Sequence, residues 1–377
     1  MPILLTSPDA LLINGTNPDA KLVAALKKIG EAHPVALISN HAEPAWFQPS
    51  FAGSNVQFLR ELGRQSGNIV SHNATQLKMH SFDVVVLATK PVDVQMGKNG
   101  GAVIVAAGWS TDVVVKALGI SVANAAQLVE TFGLVAHWNG QWWFAADGAN
   151  YRVRALADLS TINKDQPQTV FAEQVKNTVK GGGARLAALA AVTSRSLLMD
   201  EMDQSGQVWG IFPSSGSHND DTDVLSDFSH RLRTTVTRVR YAERGTPLFI
   251  RHAPSSKRSA GGSADRTDPT EQITTLHVNP FYAGSRLRGK SVIVIDDCAT
   301  YGVSFGVAAA LLRKAGASSV TGIALGKFGN QLRHYDIDIL SDPFKPISAK
   351  GFKVNSIDYF VGQTSGVTQN ALQSLIK

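Results

Sequence analysis

Two adjacent carboxylates, Asp296 and Asp297, are followed closely by Thr300, Gly302 and Ser304. Carboxylates side by side can accept hydrogen bonds from neighbouring hydroxyls of a sugar. The stretch Ala299, Thr300, Tyr301, Gly302, Val303, Ser304 adds backbone N–H groups, hydroxyls and a glycine, the materials of an anion cradle. A phosphorylated sugar would satisfy both halves. For this to work, the carboxylates must end a strand and the cradle must open a helix. The flanking residues can do both. Val292-Ile293-Val294-Ile295 is a β-branched run that reads as a strand buried on both faces, and Phe305–Lys314 reads as a helix.

The order apolar–apolar–Asp–Asp–x–x–Thr–x–Gly–x–Ser, carried here by residues 294–304, resembles the phosphoribosyl pyrophosphate (PRPP) signature of type I phosphoribosyltransferases. The resemblance implies that Asp296 and Asp297 bind the ribose 2′- and 3′-hydroxyls. Ala299 through Ser304 would wrap the 5′-phosphate, and Mg2+ would accompany PRPP, held mostly by substrate oxygens and water. Tyr301 stands where the family usually has a small residue. Ala299 stands where some relatives place a carboxylate base, so help in removing a proton must come from elsewhere, or the acceptor needs none.

Other parts of the pattern lie upstream. A strand over Val208–Phe212 runs into Pro213–Ser217, and the resemblance assigns Ser214, Ser215 and Gly216 to the pyrophosphate. Asp220–Asp223 then offers capping residues for a helix. After a strand at Pro247–Arg251 comes a polar stretch, His252–Thr270, long enough to be a lid or a disordered loop. The family carries a lid at this place, which makes Lys257, Arg258 and Arg266 candidates to neutralise charge as pyrophosphate departs. Ile273–Val278 and Ser319–Gly326 read as further strands, and Ala184–Met202 as a helix packed on the same domain.

The chain of 377 residues exceeds the usual size of one domain. Alternating strand and helix patterns predict an α/β protein of two doubly wound domains, the second with a mainly parallel sheet; for that second domain the resemblance implies a type I phosphoribosyltransferase fold. The expected boundaries are a domain at 1–148, a linker at 149–167, a phosphoribosyltransferase domain at 168–341 and an irregular extension at 342–377. In the first domain Val35–Asn40, Asp83–Ala88 and Ala102–Gly108 read as buried strands. It is weakly similar to the haloacid dehalogenase superfamily at Ser39-Asn40, Lys90-Pro91 and Gly108–Asp112. The required Asp-x-Asp is replaced by Ser7 and Asp9, and Trp109 occupies a metal-ligand position, so the resemblance implies a degenerate domain. Asn139-Gly140, between Trp138 and Trp142-Trp143, reads as a hairpin turn.

Composition narrows the function classes. The single cysteine, Cys298, leaves no internal disulfide and no cysteine-based metal site. The histidines show no ligand spacing, and neither His-Glu-x-x-His nor Gly-x-Ser-x-Gly occurs. A net charge of +6 is not gathered into a dense run, which argues against nucleic acid and suits a phosphorylated substrate. No apolar run could cross a bilayer and no leader pattern is present, so a cytoplasmic enzyme is expected. Its partners would be PRPP and an unidentified nitrogenous acceptor, with a homodimer admitted. The alternative is a PRPP-sensing protein without turnover.

Overall fold

The computed structural model describes residues 2–13, 15–183, 185–200, 207–236, 245–256, 265–360 and 362–376. The chain divides into two compact units. Unit 1 comprises Met1–Gly140, Ala187–Met202 and Arg231–Arg238; unit 2 comprises Gln141–Leu186, Asp203–His230 and Val239–Lys377.

Unit 1 is built on six parallel strands: β1 (Ile3–Thr6), β2 (Val35–Ser39), β3 (Val56–Arg60), β4 (Val84–Ala88), β5 (Val103–Ala107) and β6 (Ile120–Val122). Their order is β3-β2-β1-β4-β5-β6. Every residue of β1, β2, β4 and β5 is buried, which is why these segments are apolar runs rather than alternating ones. The order proceeds outward in both directions from β1, so right-handed crossovers place helices on both faces. The helix Arg185–Met199 gives most of its length to this unit and not to the C-terminal domain. Arg195 reaches Asp83 at 2.5 Å, and Trp138 Nε1 donates to Ser196 Oγ at 2.8 Å. Apolar spacing marks a buried helix without saying against which neighbour it is buried. Trp138 closes the helix Ala125–His137, so Asn139-Gly140 does not join a hairpin.

Unit 2 contains β7 (Phe144–Asp147), β8 (Arg152–Asp158), β9 (Val208–Ile211), β10 (Phe249–Arg251), β11 (Leu276–Val278), β12 (Ser291–Ala299), β13 (Ser319–Lys327), β14 (Arg333–Ile339), β15 (Phe352–Tyr359) and β16 (Gln363–Thr364). The main sheet runs β16-β7-β8-β13-β12-β9. Its four strands from β8 to β9 are parallel, while β7 and β16 are antiparallel additions, so the sheet is mixed. Strands β10 and β11 form a separate antiparallel pair, as do β14 and β15.

Three segments differ from the sequence reading. Residues 149–167, expected as a linker, contain β8, which is hydrogen-bonded on both sides within the main sheet. Arg152 and Arg154 broke its apolar pattern; Arg154 is nevertheless buried, because its guanidinium meets Asp147 at 2.9 Å. Residues 342–377, expected to be irregular, supply β15, β16 and the helix Gly366–Leu375. Gln369 of that helix accepts from the Asp158 N–H at 2.8 Å and donates to Gln168 at 2.8 Å, contacts that only the folded chain assembles. Finally, Ile273–Thr275 lies in the short helix Thr270–Thr275, and β11 begins only at Leu276. Side-chain bonds to preceding carbonyls, such as Thr275 Oγ1 to Glu271 O at 2.6 Å, help these β-branched residues to sit in a helical turn.

Candidate functional site

In unit 2 a cavity of about 1540 Å³ lies at the carboxyl ends of β8, β9, β12 and β13. That is the edge at which parallel sheets bind ligands. Strand β12 pairs with β13 as far as Ala299, but with β9 only as far as Ile295. Asp296–Ala299 therefore extend past their neighbour on one side and contribute to the cavity wall.

The acidic pair lies inside the strand and not after it. Asp296 is 9% exposed. Its Oδ1 accepts from the Asp297 N–H at 2.9 Å, and Asp297 Oδ1 accepts from the Cys298 N–H at 2.6 Å. Burial holds the Asp296 carboxyl well above the usual carboxylate range. The charge of Asp297 pushes it the same way, and a hydrogen bond from the Ser304 hydroxyl opposes both. Cys298 lines the same wall; burial first, and then the two aspartates, raise its thiol pKa, so it is no nucleophile near neutrality.

The loop proper is short, Thr300–Gly302, and the helix already starts at Val303. Gly302 has φ 81°, which favours glycine, and a Cβ there would stand 2.6 Å from Leu332 Cδ1 and displace that side chain. Among the described residues no side chain caps the helix, and Gly302, Val303 and Ser304 at its start line the cavity. Tyr301 also lines the cavity, and the Arg333 guanidinium lies 5.9 Å from its ring.

Opposite elements complete the wall. Ser214 and Ser215 follow β9, and Ser215 O accepts from the Ser255 N–H at 3.1 Å. Arg251, at the end of β10, is 5% exposed. Its guanidinium donates to Pro213 O at 3.1 Å, Gln272 Oε1 at 2.8 Å and Thr275 Oγ1 at 2.8 Å, fixing the start of the Pro213–Ser217 turn. Arg266 lines the cavity too. Lys176 and Lys180 reach it from the helix Gln166–Gly181, and both act electrostatically on Cys298. Asp158 ends β8 on this wall, with Lys164 at 3.4 Å.

Of the residues picked from sequence, Asp296, Asp297, Ala299, Thr300, Tyr301, Gly302, Val303, Ser304, Ser214, Ser215 and Arg266 share this one cavity. Gly216 is exposed and does not line it. Lys257 and Arg258 lie outside the described residues. Arg251, Asp158, Lys176 and Lys180 were not selected. The available signal was a charged residue closing or following an apolar strand, as in Phe249-Ile250-Arg251 and Ala155-Leu156-Ala157-Asp158.

The carboxyl edge of unit 1 is different. Asp93 is fully buried and faces Arg64 at 2.9 Å. The same carboxylate accepts from Ser7 Oγ at 3.1 Å and from the N–H groups of Thr89 and Lys90 at 3.1 and 3.0 Å. Asp9 pairs with Lys90 at 2.8 Å, and Trp109 Nε1 donates to Ala10 O at 3.0 Å. Ser39 Oγ accepts from the His41 N–H at 3.1 Å.

Among the described residues no group of three or more His, Cys, Asp or Glu could hold a metal, and no helix is long and apolar enough to cross a membrane. No family model, curated protein or solved structure matches the chain.

Proposed function

We propose that unit 2 is a type I phosphoribosyltransferase. It would transfer the ribose 5-phosphate of PRPP to a nitrogen of a nucleobase-like acceptor and release pyrophosphate. The observation that carries this reading is the convergence on one cavity of the Asp296–Asp297 pair, the uncapped helix start after Thr300–Gly302, and the Ser214–Ser215 turn. Carboxylates suit the ribose hydroxyls, amides the 5′-phosphate, and small residues with nearby Arg251 and Arg266 the pyrophosphate. A volume of about 1540 Å³ exceeds the few hundred to about 1,000 Å³ of an ordinary small-molecule site, which leaves room for a second reactant.

In the reaction, the acceptor nitrogen forms a bond to the anomeric carbon as the bond to pyrophosphate oxygen breaks. Pyrophosphate leaves with the electron pair, and the acceptor loses a proton. Arg251 orients the turn that receives the leaving group, and Arg266 adds positive charge to the same cavity. Mg2+ carried in by PRPP would be held mostly by substrate oxygens and water and would neutralise phosphate charge there. Ala299 provides no base, so the proton passes to water, to the phosphates or to the acceptor's own environment.

The test is pyrophosphate release from Mg2+ and PRPP over a panel of nucleobases and nucleobase-like acids, with PRPP binding measured by calorimetry. Acceptor-dependent release that Asp296→Asn/Asp297→Asn abolishes supports the transferase. Binding without release over the whole panel favours a PRPP sensor instead. Absence of binding would refute both.

A further inference from the structure

We propose that Lys327 is a positioning residue: its buried ammonium gathers the phosphate loop and the loop after β13 around one charge, holding the pocket ready for ligand. The side chain is fully buried. Its Nζ donates to Thr300 O at 3.0 Å and to the carbonyls of Phe328, Gly329 and Gln331 at 3.4, 2.7 and 2.5 Å. Thr300 belongs to the phosphate loop, and Phe328 and Gly329 line the same cavity. Backbone bonds cross the junction as well. The Phe328 N–H donates to Ala299 O at 2.8 Å and the Arg333 N–H to Tyr301 O at 3.0 Å, while the Gly329 N–H reaches a third segment, the Ser160 hydroxyl after β8, at 2.8 Å.

Carbonyl oxygens crowded around one point repel one another unless a cation lies between them. An ammonium offers three donors, one of them here shared between two of the four carbonyls, and a full charge, so it can bind loops that a neutral side chain would let part. The face of the Phe144 ring, its centroid 5.0 Å from Nζ, adds a weaker attraction.

Burial disfavours the charged form of this lysine. Lysine is seldom buried without a carboxylate partner, and here Asp158 acts only electrostatically. Burial outweighs Asp158 and lowers the Lys327 pKa from the ordinary lysine value to about 8. A base with a lower pKa folded than unfolded costs stability at pH values below the folded pKa; the cost is relieved as pH rises above it. A charge kept buried against that penalty, whose bonds tie together two walls of a ligand cavity, serves the cavity.

The inference rests on unit 2 binding PRPP through these loops, and the experiment separates the two claims. The full chain and its Lys327→Met variant are compared at pH 7 by thermal melting, by amide hydrogen exchange without ligand, and by titration with Mg2+ and PRPP. Because the two loops can part and let water reach the freed carbonyls, the variant should melt within a few degrees of the unsubstituted chain. Amides of residues 300–304 and 328–333 should exchange roughly ten-fold faster or more, while the core of β12 is unchanged. PRPP affinity should fall by a similar factor, roughly ten-fold or more. Unchanged exchange in both loops overturns the proposal. So does loosening with unchanged affinity, because the pocket then does not need the clamp. A variant that melts markedly lower or fails to fold also overturns it, since the charge would then serve the fold. If the unsubstituted chain does not bind PRPP, the functional reading fails, and hydrogen exchange still decides whether Lys327 holds the loops.

Discussion

At the carboxyl edge of unit 1, the buried Asp93 faces Arg64 at 2.9 Å; at the carboxyl edge of unit 2, the buried Asp296 neighbours a second carboxylate, Asp297. The first edge neutralises its own charge and directs Ser7, Thr89 and Lys90 donors at the same carboxylate. At the second, the Asp296 carboxyl is raised, the Lys327 amine is lowered, and the cavity is open. Groups kept away from their ordinary ionisation are typical of sites awaiting a ligand. The contrast teaches that a parallel sheet edge is only a place where a site can form. Whether it becomes one depends on whether its charges are answered from within.

The largest expected effect falls on unit 1. Arg64→Met leaves Asp93 buried without its cation and should destabilise the unit by about 3–5 kcal/mol. Thermal or urea unfolding measures this; an unchanged midpoint would break the comparison at its closed side. PRPP binding by the folded fraction should be unaffected.

Next comes Asp296→Asn/Asp297→Asn, which should weaken PRPP binding on the order of 100-fold or more by removing charge-assisted bonds to the sugar. Stability should move the opposite way from Arg64→Met. Asp296 has a raised folded pKa, so the folded chain holds the extra proton, and stability falls as pH climbs through that range. The Asn variant should therefore melt at the same temperature or higher near pH 7, and lose that part of the pH dependence. A clear loss of stability would mean the carboxylates serve the fold.

Gly302→Ala should have an intermediate effect. It strains φ 81° and sets a methyl 2.6 Å from Leu332, costing about 1–3 kcal/mol and weakening PRPP binding through the displaced loop. Unaltered affinity would show that the loop is not the phosphate cradle.

The smallest effect concerns the β10–β11 pair, where His252 and His277 bring their Nδ1 atoms to 3.2 Å. Burial, and then His252, lower the pKa of His277, so the unfolded chain binds more protons near pH 6. Stability contributed here is present above the unfolded value and is lost as pH falls through the folded one. Hydrogen exchange at Phe249–Arg251 should accelerate between pH 7 and 5 after correction for intrinsic rates. His277→Gln should flatten that change; an identical profile in the variant would remove the histidine from the account.

How legible all this was depends on how local each feature is. Residues 291–304 could be read almost completely, since strand, acidic pair, turn and helix start follow one another without interruption. Even there the limits shifted: Asp296–Ala299 belong to β12, because β13 continues to pair beyond the point where β9 stops. Reading failed at β8, where Arg154 looks like a linker residue until Asp147 on the neighbouring strand answers it. It failed again at 342–377, where β15 and the two-residue β16 gain their partners only from β14 and β7.

By itself the sequence determined the α/β class, buried strands such as β2, β4, β5, β12 and β13, and the composition of the acidic loop, because β-branched runs, turn residues and helix periodicity act over a few neighbouring residues. Only the tertiary structure decided what shares a pocket. Sheet register places Ala299 opposite Lys327, and the β10 end brings Arg251 to Pro213. It also decided that Asp93 has a cation to neutralise it while Asp296 lies beside another carboxylate. Burial and charge pairing are properties of neighbours in space, and adjacency along the chain does not contain them.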